Sequence, residues 1–278
     1  MFAGGFRQIR RSGKLRSMTF DRAKWTATLT KEESPAWPCP ACTDGHLVPV
    51  AKTFFQEETP ASEKNRKVSR GDWEPDCYEG RFIGSLRCVR PTCRELVVVC
   101  GTSVVMMEQD EDDGSMSLVD RLVPQFFHPA PPLFRPPNNC NKSIANELRR
   151  AWSLYWTDRA SCANRIRTCL ELLLDHIGVA RKGKTKKGEY RPLNLHARID
   201  RLRKRDAVLA SRIMGVKWLG NAGSHEGTLN EDDLLNGIEL MEDALAEVFG
   251  HRTKRLNQLS KELARKLSRK RRTSRDGT

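Results

Sequence analysis

The chain has 278 residues, nine cysteines and a formal net charge of +14. That length suits one large domain or two modest ones. It contains no apolar run of about eighteen residues, as a membrane span requires, and no apolar stretch follows its basic N-terminus, so the expectation is a cytoplasmic protein whose cysteines bind metal rather than form disulfides.

The charge is uneven. Residues 1–17 hold five basic side chains and no acidic one, and residues 251–278 hold eleven basic and two acidic ones, which leaves residues 18–250 formally neutral. A basic tail binds nucleic acid by releasing counterions, or it simply solvates the protein. Nucleic acid held by residues 251–278 is the partner this distribution points to.

Residues 1–36 read as a lead-in, and Met18-Thr19-Phe20-Asp21 within it resembles a natural start, with 1–17 an extension of it. Residues 37–123 then carry two cysteine pairs, Cys39-Pro40-Ala41-Cys42 and Cys88-Val89-Arg90-Pro91-Thr92-Cys93. Both thiolates of each pair can reach one ion, and two pairs supply the four sulfurs of a tetrahedral zinc site. Pro40 and Gly45 favour a tight turn whose amides point at sulfur. The metal ligands are therefore Cys39, Cys42, Cys88 and Cys93, around one structural Zn²⁺ per chain. Cys77 is a possible substitute with poorer spacing.

Short apolar runs predict strands at Leu47–Val50, Tyr78–Leu86 and Leu96–Met107, while Gln56–Asp76 reads as a polar loop and Glu108–Gly114 as an acidic hairpin tip or linker. Six prolines between 124 and 139 predict an extended connector, placed at 124–142. From Ser143 the apolar period becomes helical: Ile144, Leu148, Ala151, Trp152 and Tyr155 share one stripe, and Cys162, Ile166, Cys169, Leu170, Leu173 and Ile177 repeat it. Arg181–Arg191 reads as a basic loop. Three more helices follow, the last capped by Asn230, to give a helical bundle over 143–250 and a basic helical tail over 251–278.

Lys217, Asn221 and His225 fall at i, i+4 and i+8, so a persistent helix places a cation, an amide and an imidazole on one face, a set suited to a phosphate. The alternative reading is structural, with Gly220 and Gly223 serving close helix approach and Asn221 a cap. Trp218 is read as core.

The knuckle Trp37–Cys42, the linker Phe127–Leu133, the helix Ala163–Glu171 and the segment Leu219-Gly220-Asn221-Ala222-Gly223-Ser224-His225 occur in that order. Together, over most of residues 20–250, they resemble the prokaryotic family called domain of unknown function 4145, which is similar to HEPN helical bundles and recurs in restriction and anti-phage settings. The resemblance implies an α+β fold, a small N-terminal β-rich zinc ribbon followed by an all-α HEPN-like helical bundle that pairs as a homodimer, with a defence-system protein as a further partner. HEPN ribonucleases cleave RNA without metal, using Arg-Asn-x-x-x-His. Here Asn221 and His225 match but Gly220 stands at the Arg position, and Lys217 is a point charge without the guanidinium fork. Three functions follow: a nucleic-acid-associated accessory or binding protein, a metal-independent ribonuclease using His225 with Asn221 and Lys217, and a dimerisation scaffold.

Overall fold

A computed structural model describes residues 20–42, 44–69, 73–109, 114–222, 229–250 and 258–265, with backbone alone at 220–222. After a short helix α1 (Ala23–Thr26), the N-terminal half is a five-stranded antiparallel sheet. β1 (Leu47–Pro49) and β2 (Phe55–Glu58) both pair with β3 (Glu79–Cys88). β4 (Leu96–Gln109) pairs through Leu96–Val104 with nearly the whole of β3, and β5 (Met116–His128) lies beyond β4. Side chains alternate across a strand, and the alternation decides the inner face. Phe82, Leu86, Val97, Val99, Leu122 and Phe127 are buried there. The register shifts between Cys100 and Gly101, where Gln125 of β5 is the extra residue beside Pro124. A bulge on an edge strand is a position that tolerates a proline, which has no amide hydrogen to give.

This sheet corrects the expectation of a small zinc ribbon. β3, β4 and β5 run for ten, fourteen and thirteen residues and enclose an apolar face of their own. β5 is hidden in the sequence because Asp120, Arg121 and Pro124 interrupt its apolar pattern. The segment read as a polar loop holds β2 and a helix α2 (Pro60–Val68). Thr59 caps that helix by accepting from the Ser62 amide at 3.2 Å, and Pro60 opens its first turn.

The C-terminal half contains α3 (Lys142–Tyr155), α4 (Arg159–His176), α5 (Leu195–Arg203), α6 (Ala207–Ala222) and α7 (Glu231–Gly250). Asn141, Asp158, Asn194 and Asn230 each accept a backbone amide at a helix start. Here too the fold differs from expectation, because the half is not all-α. Between α4 and α5 the basic segment forms an antiparallel hairpin of β6 (Lys182–Lys184) and β7 (Tyr190–Pro192). Lysine and glycine give no apolar alternation, so nothing in the period announces these strands. Residues 258–265 are helical and exposed. Among the described residues no helix is long and apolar enough to cross a membrane.

The two halves share one core. Trp37 packs on Phe127 and Trp156 with ring centroids 5.1 and 5.8 Å apart, and Phe127 meets Trp156 at 4.6 Å. Trp25 and Tyr155 close the cluster, at 6.5 Å from one another and at 6.4 and 5.0 Å from Trp156. Edge-on and tilted pairs of this kind add about 0.5–1.5 kcal/mol each beyond the area they bury. Two of the polar tips are bonded: Trp37 Nε1 donates to the Lys24 carbonyl at 2.6 Å, and the Tyr155 hydroxyl lies 2.9 Å from Glu231 Oε1 and 3.3 Å from the Trp25 carbonyl, whereas Trp156 Nε1 is buried without a protein partner among the described residues.

Candidate metal centre

Both cysteine pairs sit on turns at the end of the sheet where β1 meets β3. Cys39 and Cys42 lie on the turn leading into β1, Cys88 ends β3, and Cys93 precedes β4. The turns are zipped together by backbone bonds: Cys39 N to Gly45 O and Leu47 N to Trp37 O at 2.9 Å each, and Val89 N to His46 O at 3.0 Å. Arg90 adds an ion pair to Asp44 at 3.2 Å.

This lacing brings the four predicted ligands together, with all four sulfurs within 4.8 Å of one another. Cys39 Sγ is 3.8 Å from Cys93 Sγ, and Cys42 Sγ is 3.6 Å from Cys88 Sγ. A tetrahedral ion with metal–sulfur bonds of about 2.3 Å requires sulfurs about 3.8 Å apart. The donor set and spacing thus fit a metal ion. Cys77 is exposed and outside the cluster, while Cys162 and Cys169 are buried core residues on α4.

Backbone amides support the sulfurs as the turn chemistry suggests. Ala41 N lies 3.4 Å from Cys39 Sγ, and the amides of Gly45 and Arg90 bond to Cys42 and Cys88. Burial pushes the Cys39 thiol up to about 12 and raises Cys88 as well. Burial also acts to raise Cys42, but bonds from the Cys88 and Cys93 thiols and the Gly45 amide outweigh it and bring Cys42 down to about 7. Crowded thiols of this kind give up protons when a cation replaces them.

Two contributors escape a reading by spacing alone. A Cβ built on Gly45 would lie 2.4 Å from Cys88 Sγ and 2.8 Å from Cys42 Sγ, so only glycine fits against the sulfurs. Arg135, from the proline-rich segment, donates to the carbonyls of Cys39 at 2.8 Å and Cys42 at 2.5 Å. Asn139 in the same segment donates to the Phe249 carbonyl of α7 at 2.9 Å, so one connector ties the cysteine turn to the last helix.

The second candidate site is only partly described. Lys217 is 9% exposed, and its Nζ lies 3.7 Å from the centroid of the adjacent Trp218 ring. Trp218, read as core, is instead 57% exposed. Asn221 is in α6 without a described side chain, and His225 lies outside the described residues.

Residues 149–272 match the family model described as Domain of unknown function (DUF4145). Residues 27–127 match a separate one, Domain of unknown function (DUF8608). The resemblance read across most of 20–250 therefore divides: the α4 motif and the Gly220–His225 segment lie in the DUF4145 region, and the cysteine knuckle lies in the DUF8608 region. No curated protein and no solved structure matches the chain.

Proposed function

We propose that the protein is a nucleic-acid-associated binding protein whose cysteine turns are held by one structural zinc ion, and that it is not an enzyme. Four protein thiolates would fill a tetrahedral shell and leave no position for water or substrate, which assigns the metal to stability. Soft sulfur donors at this spacing favour zinc. What supports nucleic acid as the ligand is the charge of +14, concentrated in residues 251–278. Phosphate contacts from such a segment give affinity that falls linearly with the logarithm of salt.

The DUF4145 resemblance adds two finer elements to the reading: a homodimer through the C-terminal helices, and a partner within a phage-defence system. In this reading Lys217, Asn221 and His225 serve the junction of α6 and α7 and do not cleave RNA. The Lys217 ammonium already rests on its neighbour's ring.

The test is binding of the purified full chain to a labelled oligonucleotide across a salt series, with and without residues 251–278. Binding whose salt slope shrinks on truncation is expected, and no binding at low salt would overturn the reading. RNA cleavage in EDTA that disappears in His225→Ala would replace it with a metal-independent ribonuclease.

A further inference from the structure

We propose that the β6–β7 hairpin and the adjoining basic side chains of α5 form a second, folded nucleic-acid contact, a surface for single strands on which Tyr190 stacks a base. The inference rests on the nucleic-acid reading above but places the contact elsewhere in the chain. It begins with charge. Residues 18–250 sum to zero, but the opposite charges within them are segregated. Residues 181–205 hold eleven basic and two acidic side chains, whereas α7 holds seven acidic and no basic ones.

The hairpin fixes this charge in space. Thr185 and Gly188 close its turn, with Gly188 N donating to Thr185 O at 2.9 Å and Thr185 N to Glu189 O at 2.8 Å. Gly188 has φ +88°, which glycine alone takes without strain, and the turn presents Lys186 and Lys187 at the apex. Leu193 N bonds to Arg181 O at 2.8 Å beyond the strands. Arg201 of α5 donates to the Lys182 carbonyl at 3.1 Å, so helix and hairpin present one continuous surface.

The charge is also largely uncompensated. The two acids within the segment are committed, Glu189 to Arg191 at 3.1 Å and Asp200 to Arg203 at 3.1 Å and His196 at 3.3 Å. Arg181 and the buried Arg198 share the Asp175 carboxylate, and Glu171 acts on Arg181 from farther away. Lys182, Lys184, Lys186, Lys187 and Lys204 are exposed and have no carboxylate partner among the described residues. Arg201 and Arg205 give their bonds to neutral carbonyls, which leaves their charge in place.

Tyr190 identifies the kind of strand. It is 70% exposed, sits directly across from Lys184 in register and precedes Arg191. An exposed ring among cations is the arrangement that holds unpaired bases: the cations follow the phosphates and the ring takes a base face, a contact worth about 1–3 kcal/mol per base. A duplex offers the same phosphates but no free base face, and an acidic protein offers neither the spacing of phosphates nor a base.

The test measures anisotropy of a labelled oligothymidylate of about twenty nucleotides and of a matched duplex, each over a salt series, using the full chain and its variants. The triple variant Lys184→Glu, Lys186→Glu, Lys187→Glu is expected to weaken both by at least about tenfold and to lower the salt slope by about two on the oligothymidylate and about three on the duplex. Tyr190→Ala is expected to weaken the oligothymidylate about 5- to 150-fold, with the salt slope and duplex binding unchanged. All these side chains are exposed, and an unaltered thermal melt confirms that each variant folds. Wild-type affinity in both variants, beside a loss on removing 251–278, overturns the hairpin contact and leaves the nucleic-acid reading standing. Absence of binding by the wild-type chain overturns both. Equal displacement of the oligonucleotide by polyglutamate at matched charge also overturns the single-strand assignment.

Discussion

Trp37 stands two residues before Cys39 and meets Trp156 of the helical half edge-on, with ring centroids 5.8 Å apart and planes at 82°. The cysteine turn and the helices are therefore separated by one side chain. Disorder in the turn has a direct path into the shared core.

Removal of metal should be visible through that contact. Chelation, or Cys39→Ser, is expected to release about one zinc per chain, to shift tryptophan emission to longer wavelength and to lower stability by several kcal/mol. Metal analysis and fluorescence-detected unfolding check this. Quantitative release with unchanged emission and unchanged melting would sink the structural role.

Gly45→Ala probes the site without removing a ligand. The new methyl falls 2.4 Å from Cys88 Sγ, well inside contact distance. Zinc affinity should fall by about 10–100-fold in competition with a chromophoric chelator, as it does when the surroundings of metal ligands are disturbed. Affinity equal to wild type would mean that the turn opens freely.

Tyr155→Phe isolates the polar part of the junction. The hydroxyl joins α3 to the Trp25 carbonyl and to Glu231 at the start of α7. Phenylalanine keeps the ring contacts and loses these bonds, at an expected cost of about 1–3 kcal/mol in denaturant unfolding. A change below about 0.5 kcal/mol would show that the rings alone carry the junction.

Glu242 makes stability depend on pH in an uncommon direction. Burial, together with the nearby Glu239 and Asp243 carboxylates, pushes its carboxyl from 4.5 up to about 7. The folded state therefore holds this proton more tightly than the unfolded chain does. The resulting stability is fully present below about pH 4.5 and is lost as pH rises through 7. Glu58, Glu108, Asp158 and Asp175 are shifted downward and act oppositely, losing stability as the medium turns acid. The difference between Glu242→Gln and wild type removes their contribution. The variant should be more stable at pH 8 by on the order of 1–2 kcal/mol, after allowance for partial exposure, with the gap closing toward pH 5. A gap independent of pH would contradict the shift.

The metal centre is legible because its chemistry is local. Two short cysteine spacings specify four ligands, and no other pairing is needed to find Cys39, Cys42, Cys88 and Cys93. The helices are legible for a similar reason, since Ile144, Leu148, Ala151, Trp152 and Tyr155 repeat at the helical period and are all buried. What escapes is set by partners distant in the chain. β5 becomes a strand by pairing with β4, despite Pro124. Arg135 acts on carbonyls more than ninety residues away. The Gly45 turn is legible, but its close approach to a sulfur arriving from β3 is not. The α2 start was signalled by Thr59-Pro60 and Glu63, a capping pattern that a low apolar content obscures. Trp218 shows the limit of reading from residue type: a large aromatic on an apolar helix is exposed, and the lysine before it is covered.

Leu133, Phe134 and Ile144 are buried, and they lie between residue 127, where one family match ends, and residue 149, where the other begins. A fragment cut at either edge would lose these side chains and separate Trp156 from Trp37 and Phe127. The two matched segments thus leave out side chains that belong to the shared core. Any recombination that moved one of them to a new neighbour would have to supply a replacement for the aromatic surface left behind.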